Sequence, residues 1–219
     1  MNGVWAAVPV KAFAGAKQRL GSVLTPAQRQ ALAAAMLEDV LTALAAAPLA
    51  GIVVNTLDPS AAALARAYGA EVISDDAASG HTGAVAAMGR WLIAAGRPAM
   101  LALPGDIPRV TAAEIATLCA AAGPAPSFAI APARDERGSN AVLLAPPASV
   151  PLRFGEDSFF PHLDASRRVG IMPKVVPLPG IGLDIDTPED LDLLRRGTPE
   201  RRGHVDRVLA VLPPATRRT

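Results

Sequence analysis

Cysteine is nearly absent from this 219-residue chain. Cys119 stands alone, which excludes an internal disulfide and any metal cage built on several thiolates. Aromatic residues make up 4% and charged residues 19%, against a typical charged usage of ~25%. No apolar run reaches the ~18–20 residues of a membrane-spanning helix; the longest candidate, residues 31–50, is interrupted by Glu38, Asp39 and Pro48. Neither sign of charge dominates. With 21 Lys and Arg against 20 Asp and Glu, the net charge is +1, too balanced to attract nucleic acid by itself. The first residues show no basic segment followed by an apolar stretch and a cleavage site, so a cytoplasmic location is expected. Also missing are a G-x-S-x-G elbow, a G-x-x-x-x-G-K-[ST] phosphate loop and a G-x-G-x-x-G fingerprint.

What is abundant is apolar. Hydrophobic residues make up 51% of the chain, and alanine alone roughly a fifth. That content offsets the ordering entropy and excludes disorder for most of the chain. The length favours one domain, with room for a tail. Short apolar runs alternate with helical patterns. Residues 4–10 (VWAAVPV), 51–55 (GIVVN), 71–74 (EVIS), 99–103 (AMLAL), 127–131 and 141–144 read as strands. Thr25-Pro26-Ala27-Gln28 and Thr111-Ala112-Ala113-Glu114 have the form of capping boxes. Asp58-Pro59 and Thr187-Pro188-Glu189-Asp190 also open helices. Residues 159–168 read as helical, 174–178 and 183–186 as extended, and 205–212 as one short helix in an Arg- and Pro-rich end. Strands alternating with helices predict an α/β fold with a mainly parallel sheet covered by helices on both faces. A domain over 1–196 and a C-terminal extension over 197–219 are expected.

In such sheets ligands bind outside the carboxyl ends of the strands. The scarce charges concentrate there. Lys11, Lys17 and Arg19 leave the first strand within nine positions, as a polyphosphate-binding loop would require, or as a solvated basic loop would allow. Asp106, in Pro104-Gly105-Asp106-Ile107-Pro108 after a very apolar strand, suits a cation; the alternative is a turn residue before a helix. Asp184 and Asp186 point to one side of an extended segment. Two like charges side by side need a cation or donors to offset them. Thr187, Glu189 and Asp190 are assigned to the helix start that follows. Ser139 and Asn140, in Arg137-Gly138-Ser139-Asn140-Ala141, offer hydroxyl and amide donors to an anion, or form a turn. Gly155 permits close backbone approach, with Ser158 at the start of the next helix. His162 reads as a packing or capping residue, and His81 and His204 carry no partner signal. Cations, a carboxylate-held metal and anion-binding small residues, without a nucleophile-and-base pair, fit phosphoryl or nucleotidyl transfer.

Five motifs occur in order: P-V-K-x-x-x-x-A-K-x-R-L (residues 9–20), G-D-I-P (105–108), G-S-N-A (138–141), F-G-x-x-S-F-x-x-H (154–162) and L-D-I-D-T-P-E-D-L (183–191). Together they resemble the guanylyltransferases of coenzyme F-420 biosynthesis, which act on 2-phospho-L-lactate or phosphoenolpyruvate. The resemblance implies a Rossmann-like, three-layer nucleotidyltransferase fold. It also implies transfer of GMP from GTP to a phosphorylated three-carbon acid (phosphoenolpyruvate, 2-phospho-L-lactate or 3-phospho-D-glycerate), with Mg²⁺ and release of diphosphate. By that analogy Lys11, Lys17 and Arg19 bind the GTP phosphates, and Asp106 and Asp184, with Asp186, hold Mg²⁺. Ser139, Asn140, Gly155 and Ser158 then form the acceptor site. The implied partners are the two substrates and a downstream deazaflavin-transferring enzyme, with no nucleic acid and no membrane; no oligomeric state is implied.

Two departures from the pattern stand out. Ser139 replaces a usual Thr, keeping the hydroxyl and losing the methyl. Ser79-Gly80-His81-Thr82 stands where a Leu-Asn pair is common. Two other readings have their own expectations. A nucleotidyltransferase of the molybdenum-cofactor type would carry a Gly-rich first loop, where this chain has Val8-Pro9-Val10-Lys11. A non-catalytic nucleotide-binding module would use the basic end, since seven of the 21 basic residues lie at or beyond Arg195. No aromatics interleave with those arginines, so a solvated, dispensable tail is expected.

Overall fold

The computed structural model describes residues 3–75, 77–155, 157–197 and 203–212. Seven strands form one sheet: β1 (Val4–Pro9), β2 (Gly51–Asn55), β3 (Glu71–Ile73), β4 (Ala99–Ala102), β5 (Ser127–Pro132), β6 (Ser139–Ala145) and β7 (Pro173–Val175). Their spatial order is β3-β2-β1-β4-β6-β5-β7. The pairs β1/β2, β1/β4, β2/β3 and β5/β7 are parallel, whereas β4/β6 and β5/β6 are antiparallel. Among the described strands only β6 runs against the others. The sheet is mostly parallel, as expected, with this single reversal. Its cause is local: Ala133 to Gly138 is too short for a crossover, which needs a dozen or more residues, and long enough for a hairpin. The reversal has a consequence for function. The first residues of β6, Ser139 and Asn140, lie at the carboxyl ends of its neighbours.

Among the described residues five α-helices connect these strands, α1 (Pro26–Ala45), α2 (Pro59–Ala67), α3 (Gly80–Ala94), α4 (Ala112–Ala122) and α5 (Phe159–Arg168), and two follow β7, α6 (Pro188–Arg196) and α7 (His204–Val211). Alternation along β1 assigns the layers. Val4, Ala6 and Val8 pack with α1, α2 and α4 on one face. Trp5 and Ala7 pack with α3 and α5 on the other. Both faces are therefore covered, and the five inner strands are buried nearly throughout, whereas the edge strands β3 and β7 are half-buried or exposed. Among the described residues no helix is long and apolar enough to cross a membrane.

The helix starts follow their caps. Thr25 with Gln28, Thr111 with Glu114 and Thr187 with Asp190 each form a reciprocal box at α1, α4 and α6. Asp58 caps α2 by accepting from the Ser60 and Ala61 amides. The expected strand over 183–186 does not join the sheet. Its amide at Ile185 donates to the Asp106 carbonyl (3.2 Å), one bond to a loop rather than a ladder. The alternation survives nonetheless: Ile185 is fully buried, and Asp184 and Asp186 face the opposite way, into a cleft.

Residues 203–212 are not a bare tail. Val205 is buried in a third apolar cluster with Leu32, Met36, Leu191 and Leu194. Arg109 donates to both carboxylate oxygens of Asp206 (2.9 and 2.7 Å) and to the Leu194 carbonyl (3.0 Å). Asp39 on α1 accepts from the first two amides of α7 (2.6 and 2.9 Å). The outer arginines Arg201, Arg202, Arg217 and Arg218 lie outside the described residues.

Candidate active site

A cleft of about 1410 Å³ opens at the carboxyl ends of β1, β4 and β5. All ten residues singled out from the sequence line it: Lys11, Lys17, Arg19, Asp106, Ser139, Asn140, Gly155, Ser158, Asp184 and Asp186. Contacts between them span as many as 169 positions, from Lys17 to Asp186, so it is the fold that brings them together.

The loop after β1 is held at both ends. The Val10 amide donates to the Asn55 carbonyl (2.9 Å). The Phe13 amide donates to Asp58 Oδ2 (2.7 Å), the oxygen that the α2 cap leaves over. Burial works to raise the Asp58 pKa, but this amide and those of Ala61 and Ser60 hold it below the ordinary value. Arg29 of α1 donates to the Ala16 carbonyl (3.3 Å), and Leu20 anchors the loop in the core. Lys17 adopts a left-handed conformation (φ 53°), uncommon for a residue with a side chain. That conformation accompanies a short reach inward. Lys17 Nζ lies 2.6 Å from Asp106 Oδ2 and 2.7 Å from Asp186 Oδ1. Burial disfavours its charge, yet the two carboxylates outweigh burial and hold the ammonium above its usual pKa.

This placement alters one expectation. The resemblance groups Lys17 with Lys11 and Arg19 as phosphate ligands. Two of its three donors instead face carboxylates, leaving at most one for a phosphate. Lys11 and Arg19 are exposed at the cleft.

The carboxylates sit in unequal surroundings. Asp106 follows β4 through Leu103, whose amide still donates to Ala7 (3.2 Å). Burial pushes the Asp106 pKa up, but the Lys17 charge and hydrogen bond bring it below the ordinary value. Its Oδ1 is buried and has no hydrogen-bond partner. Asp184 is held above its ordinary value by burial, with the Asp106 and Asp186 charges adding to the effect and the Asn140 hydrogen bond opposing it. Asn140 Nδ2 donates to Asp184 Oδ1 and to the Ile181 carbonyl, both at 3.0 Å. Its amide protons are thus spent internally. The resemblance places Asn140 against the acceptor, but the structure uses it to brace Asp184.

The other half of the cleft is built by the start of β6 and the start of α5. Ser139 Oγ lies 2.9 Å from His162 Nδ1 and accepts from Ser158 Oγ (3.2 Å). The Arg153 amide donates to His162 Nε2 (2.9 Å). Gly155 has φ +148°, and a side-chain Cβ there would meet nothing within 4 Å, so the requirement for glycine is conformational rather than steric. At the rim Arg137 grips Asp157 through two hydrogen bonds (2.6 and 3.2 Å). The Phe159 amide donates to the Arg137 carbonyl (2.9 Å), which ties α5 to the hairpin.

Sequence reasoning gives no role to His81, Thr82 and Phe154 in this half. His81 lines the cleft and meets Phe154 at a tilt (centroids 4.5 Å apart, planes at 49°), and Phe154 in turn meets His162 edge-on (5.0 Å). Thr82 Oγ1 accepts from the Phe154 amide (3.0 Å). Ser79-Gly80-His81-Thr82 at a helix start after a strand end is the available signal. His162 is buried, as the packing role expected of it requires, but it is also bonded to a residue of the cleft.

A site of paired carboxylates and cations at the carboxyl ends of a mostly parallel sheet is suited to nucleotide phosphates. Comparison with known proteins decides the family. The profile of the guanylyl transferase CofC-like family matches residues 4–201. The chain belongs to that family. Similarity to individual CofC-like proteins is consistent across most of the length. A phosphoenolpyruvate guanylyltransferase of Rubrobacter xylanophilus is 40% identical over 188 residues, covering 86% of this chain and 91% of that protein. One from Conexibacter woesei is 36% identical over 201 residues, covering 91% and 90%. A 3-phospho-D-glycerate guanylyltransferase of Colwellia psychrerythraea is 34% identical over 188 residues, covering 85% and 89%. Among solved structures, a nucleotide-diphospho-sugar transferase from Desulfovibrio desulfuricans superposes with TM-score 0.78 at 19% identity, covering 96% and 95% of the two chains. A nucleotidyl transferase from Methanothermobacter superposes with TM-score 0.61 at 18% identity, covering 96% and 99%. This CofC-like chain therefore has the α/β nucleotidyltransferase fold and is a nucleotidyltransferase.

Proposed function

We propose that the protein moves GMP from GTP to the phosphate of a phosphorylated three-carbon acid and releases diphosphate. The observation that carries this reading is the two-sided cleft: carboxylates facing a lysine on one side, and a serine pair with an open glycine backbone on the other. A phosphate oxygen of the acid attacks the α-phosphorus of GTP. The new O–P bond forms as the bond to the bridging oxygen breaks, and diphosphate leaves with that electron pair. The attacking phosphate is already ionised near pH 7, so no base is needed. This agrees with the neutral His162, both of whose nitrogens are engaged.

Lys11 and Arg19, both exposed at the cleft, would hold the outer phosphates, and Arg19 could do so bidentately. Among the described residues no three His, Cys, Asp or Glu form a ready metal cage, because Lys17 stands between Asp106 and Asp186. Mg²⁺ does not need one: it takes one or two carboxylates and completes its shell with phosphate oxygens and water. The buried, unpartnered Oδ1 of Asp106 fits such a ligand, and Asp184 or Asp186 would supply the second carboxylate. Bound there, Mg²⁺ would neutralise charge on the nucleotide phosphates. Ser139, Ser158 and the Gly155 backbone would receive the acid. Phosphoenolpyruvate leads as acceptor, since relatives at 36–40% identity carry that name. The product, a phosphoanhydride between GMP and the phospho-acid, is activated for an enzyme that transfers the phospho-acid to a deazaflavin alcohol in coenzyme F-420 assembly, with GMP as the leaving group.

The test is direct. The purified protein is given GTP and Mg²⁺ with phosphoenolpyruvate, 2-phospho-L-lactate or 3-phospho-D-glycerate in parallel. Diphosphate and the guanylylated acid are measured. Release with one acid, lost in Asp106→Asn with the fold intact, supports the reading. No release with any nucleotide and phospho-acid pair refutes it.

A further inference from the structure

We infer that His162 is a positioning residue of the acceptor site, whose Nδ1–H, donated to Ser139 Oγ, turns the Ser139 hydroxyl proton into the cleft toward an anionic oxygen of the acid. The tautomer follows from one contact. A backbone N–H can only donate, and the Arg153 amide points at Nε2 from 2.9 Å. Nε2 must therefore be bare, and a neutral ring then carries its proton on Nδ1. Ser139 Oγ is 2.9 Å from that nitrogen and becomes an acceptor. It also accepts from Ser158 Oγ at 3.2 Å. A hydroxyl has two lone pairs and one proton. With both lone pairs engaged, the proton is left for the remaining direction, and Ser139 lines the cleft.

Two features keep the ring neutral. His162 is 1% exposed, and a charged ring would set an Nε2–H against the Arg153 N–H. Burial, with the charge of His81 adding to it, pulls its pKa down to about 4. The ring's place is fixed by α5 and by the edge of Phe154. The donors of His162, itself set by the Arg153 amide, and of Ser158 thus converge on Ser139 Oγ and leave its own proton for the cleft. A site that must receive an anion gains from a hydroxyl preset to donate, because nothing has to reorient on binding.

The inference rests on the reading that Ser139 contacts the acid, and the variants separate the two. In His162→Gln the side-chain carbonyl can still accept from Arg153, but Ser139 loses its donor. In His162→Asn the amide nitrogen can reach the Nδ1 position, and the Arg153 amide loses its acceptor. KM for phosphoenolpyruvate and for GTP is measured for both, for Ser139→Ala and for the Ser139→Ala/His162→Gln double variant. The expected result is about a tenfold rise in the acid KM for Ser139→Ala and for His162→Gln, the loss of one hydrogen bond to a charged group. His162→Asn should stay within about threefold, the double variant should match Ser139→Ala alone, and the GTP KM should hold throughout. An unchanged acid KM in His162→Gln beside a raised one in Ser139→Ala overturns the inference and leaves the acceptor site standing. An unchanged KM in Ser139→Ala overturns both. A larger loss in His162→Asn than in His162→Gln makes the histidine a structural brace for Arg153 and also overturns the inference. Should His162→Gln fail to fold, ¹⁵N spectra of the wild-type ring decide: Nδ1 protonated and Nε2 bare is expected, and the opposite tautomer refutes it.

Discussion

Replacing Lys17 by Met tests whether the ammonium holds the acidic side of the cleft together. Its Nζ lies 2.6 and 2.7 Å from two carboxylates. At an effective dielectric of ~20 each contact is worth roughly 6 kcal/mol of gross attraction. Desolvating the lysine, whose side chain is only 9% exposed, offsets most of that. Removing one partner of a buried pair costs about 3–5 kcal/mol, chiefly through the charges left behind. Here those charges can rehydrate, since the Asp106 and Asp186 side chains are 31% and 45% exposed. A net loss of about 2–3 kcal/mol follows, or about 5–10 °C in Tm for a chain of this size. The variant also leaves Asp106, Asp184 and Asp186 facing one another without a cation. Mg²⁺ should therefore stabilise it more than it stabilises the wild type. At ten times its dissociation constant the ion returns about 1.4 kcal/mol by linkage, roughly half the deficit. Scanning calorimetry of both proteins with EDTA and across a Mg²⁺ series reads these shifts, and diphosphate release should fall by at least ~100-fold. Equal Tm values in EDTA would refute the electrostatic account of Lys17. A Mg²⁺ shift no larger in the variant than in the wild type would refute the shared place of lysine and metal.

Asp206→Ala removes the bidentate grip on Arg109 and a cap on the Gly203 amide; a loss of about 2 kcal/mol is expected in urea unfolding, and deletion from residue 203 onward should cost more because Val205 leaves the core. Asp58→Ala takes away the α2 cap and the anchor of Phe13, so about 1–2 kcal/mol of stability should go, together with a rise in the GTP KM of several-fold that a cap alone would not cause. His162 gives a pH signature: its pKa is about 4 folded and ~6.5 unfolded, so the unfolded chain binds the extra proton first as pH falls. Stability is whole above pH ~6.5 and declines by roughly 3 kcal/mol by pH ~4; thermal melts of His162→Gln should lack that part of the decline, and a parallel decline in both proteins would show that other groups, His81 among them, carry it.

What can be read from the sequence is local. The boxes at Thr25, Thr111 and Thr187 need only residues three apart, and all three form. The charges after each strand end can also be found, because charge is scarce and the carboxyl ends of parallel strands are where ligands bind. What stays hidden is pairwise and distant. Lys17 reaches partners 89 and 169 positions away, and nothing in P-V-K-x-x-x-x-A-K-x-R-L distinguishes a lysine for phosphate from one for carboxylate. Asn140 resembles a ligand because amides often are; its commitment to Asp184 exists only after residues 181–184 fold back over β6. His162 has the periodicity of a core residue and is one, which conceals its second contact. The C-terminal helix is expected from its sequence, but its docking is not, since Arg109 and Asp206 lie 97 positions apart.

The reversal of β6 explains why one cleft can hold two substrates. In a wholly parallel sheet the amino ends of all strands lie on the edge away from the ligand. Ser139 and Asn140 would then be a strand's length from Asp106. Because β6 alone is inverted between β4 and β5, its first two residues arrive beside the last residues of β4 and the loop carrying Asp106. Each then serves one half: Asn140 turns to Asp184 on the carboxylate side, and Ser139 turns to Ser158 and His162 on the other. Alternation along a strand sends neighbouring side chains to opposite faces, so two consecutive residues suffice to join the nucleotide side of the cleft to the acceptor side. The short hairpin before Ser139 is therefore a functional feature of the topology. Lengthening it would disturb both halves together, whereas a change confined to Lys17 or to His162 disturbs one.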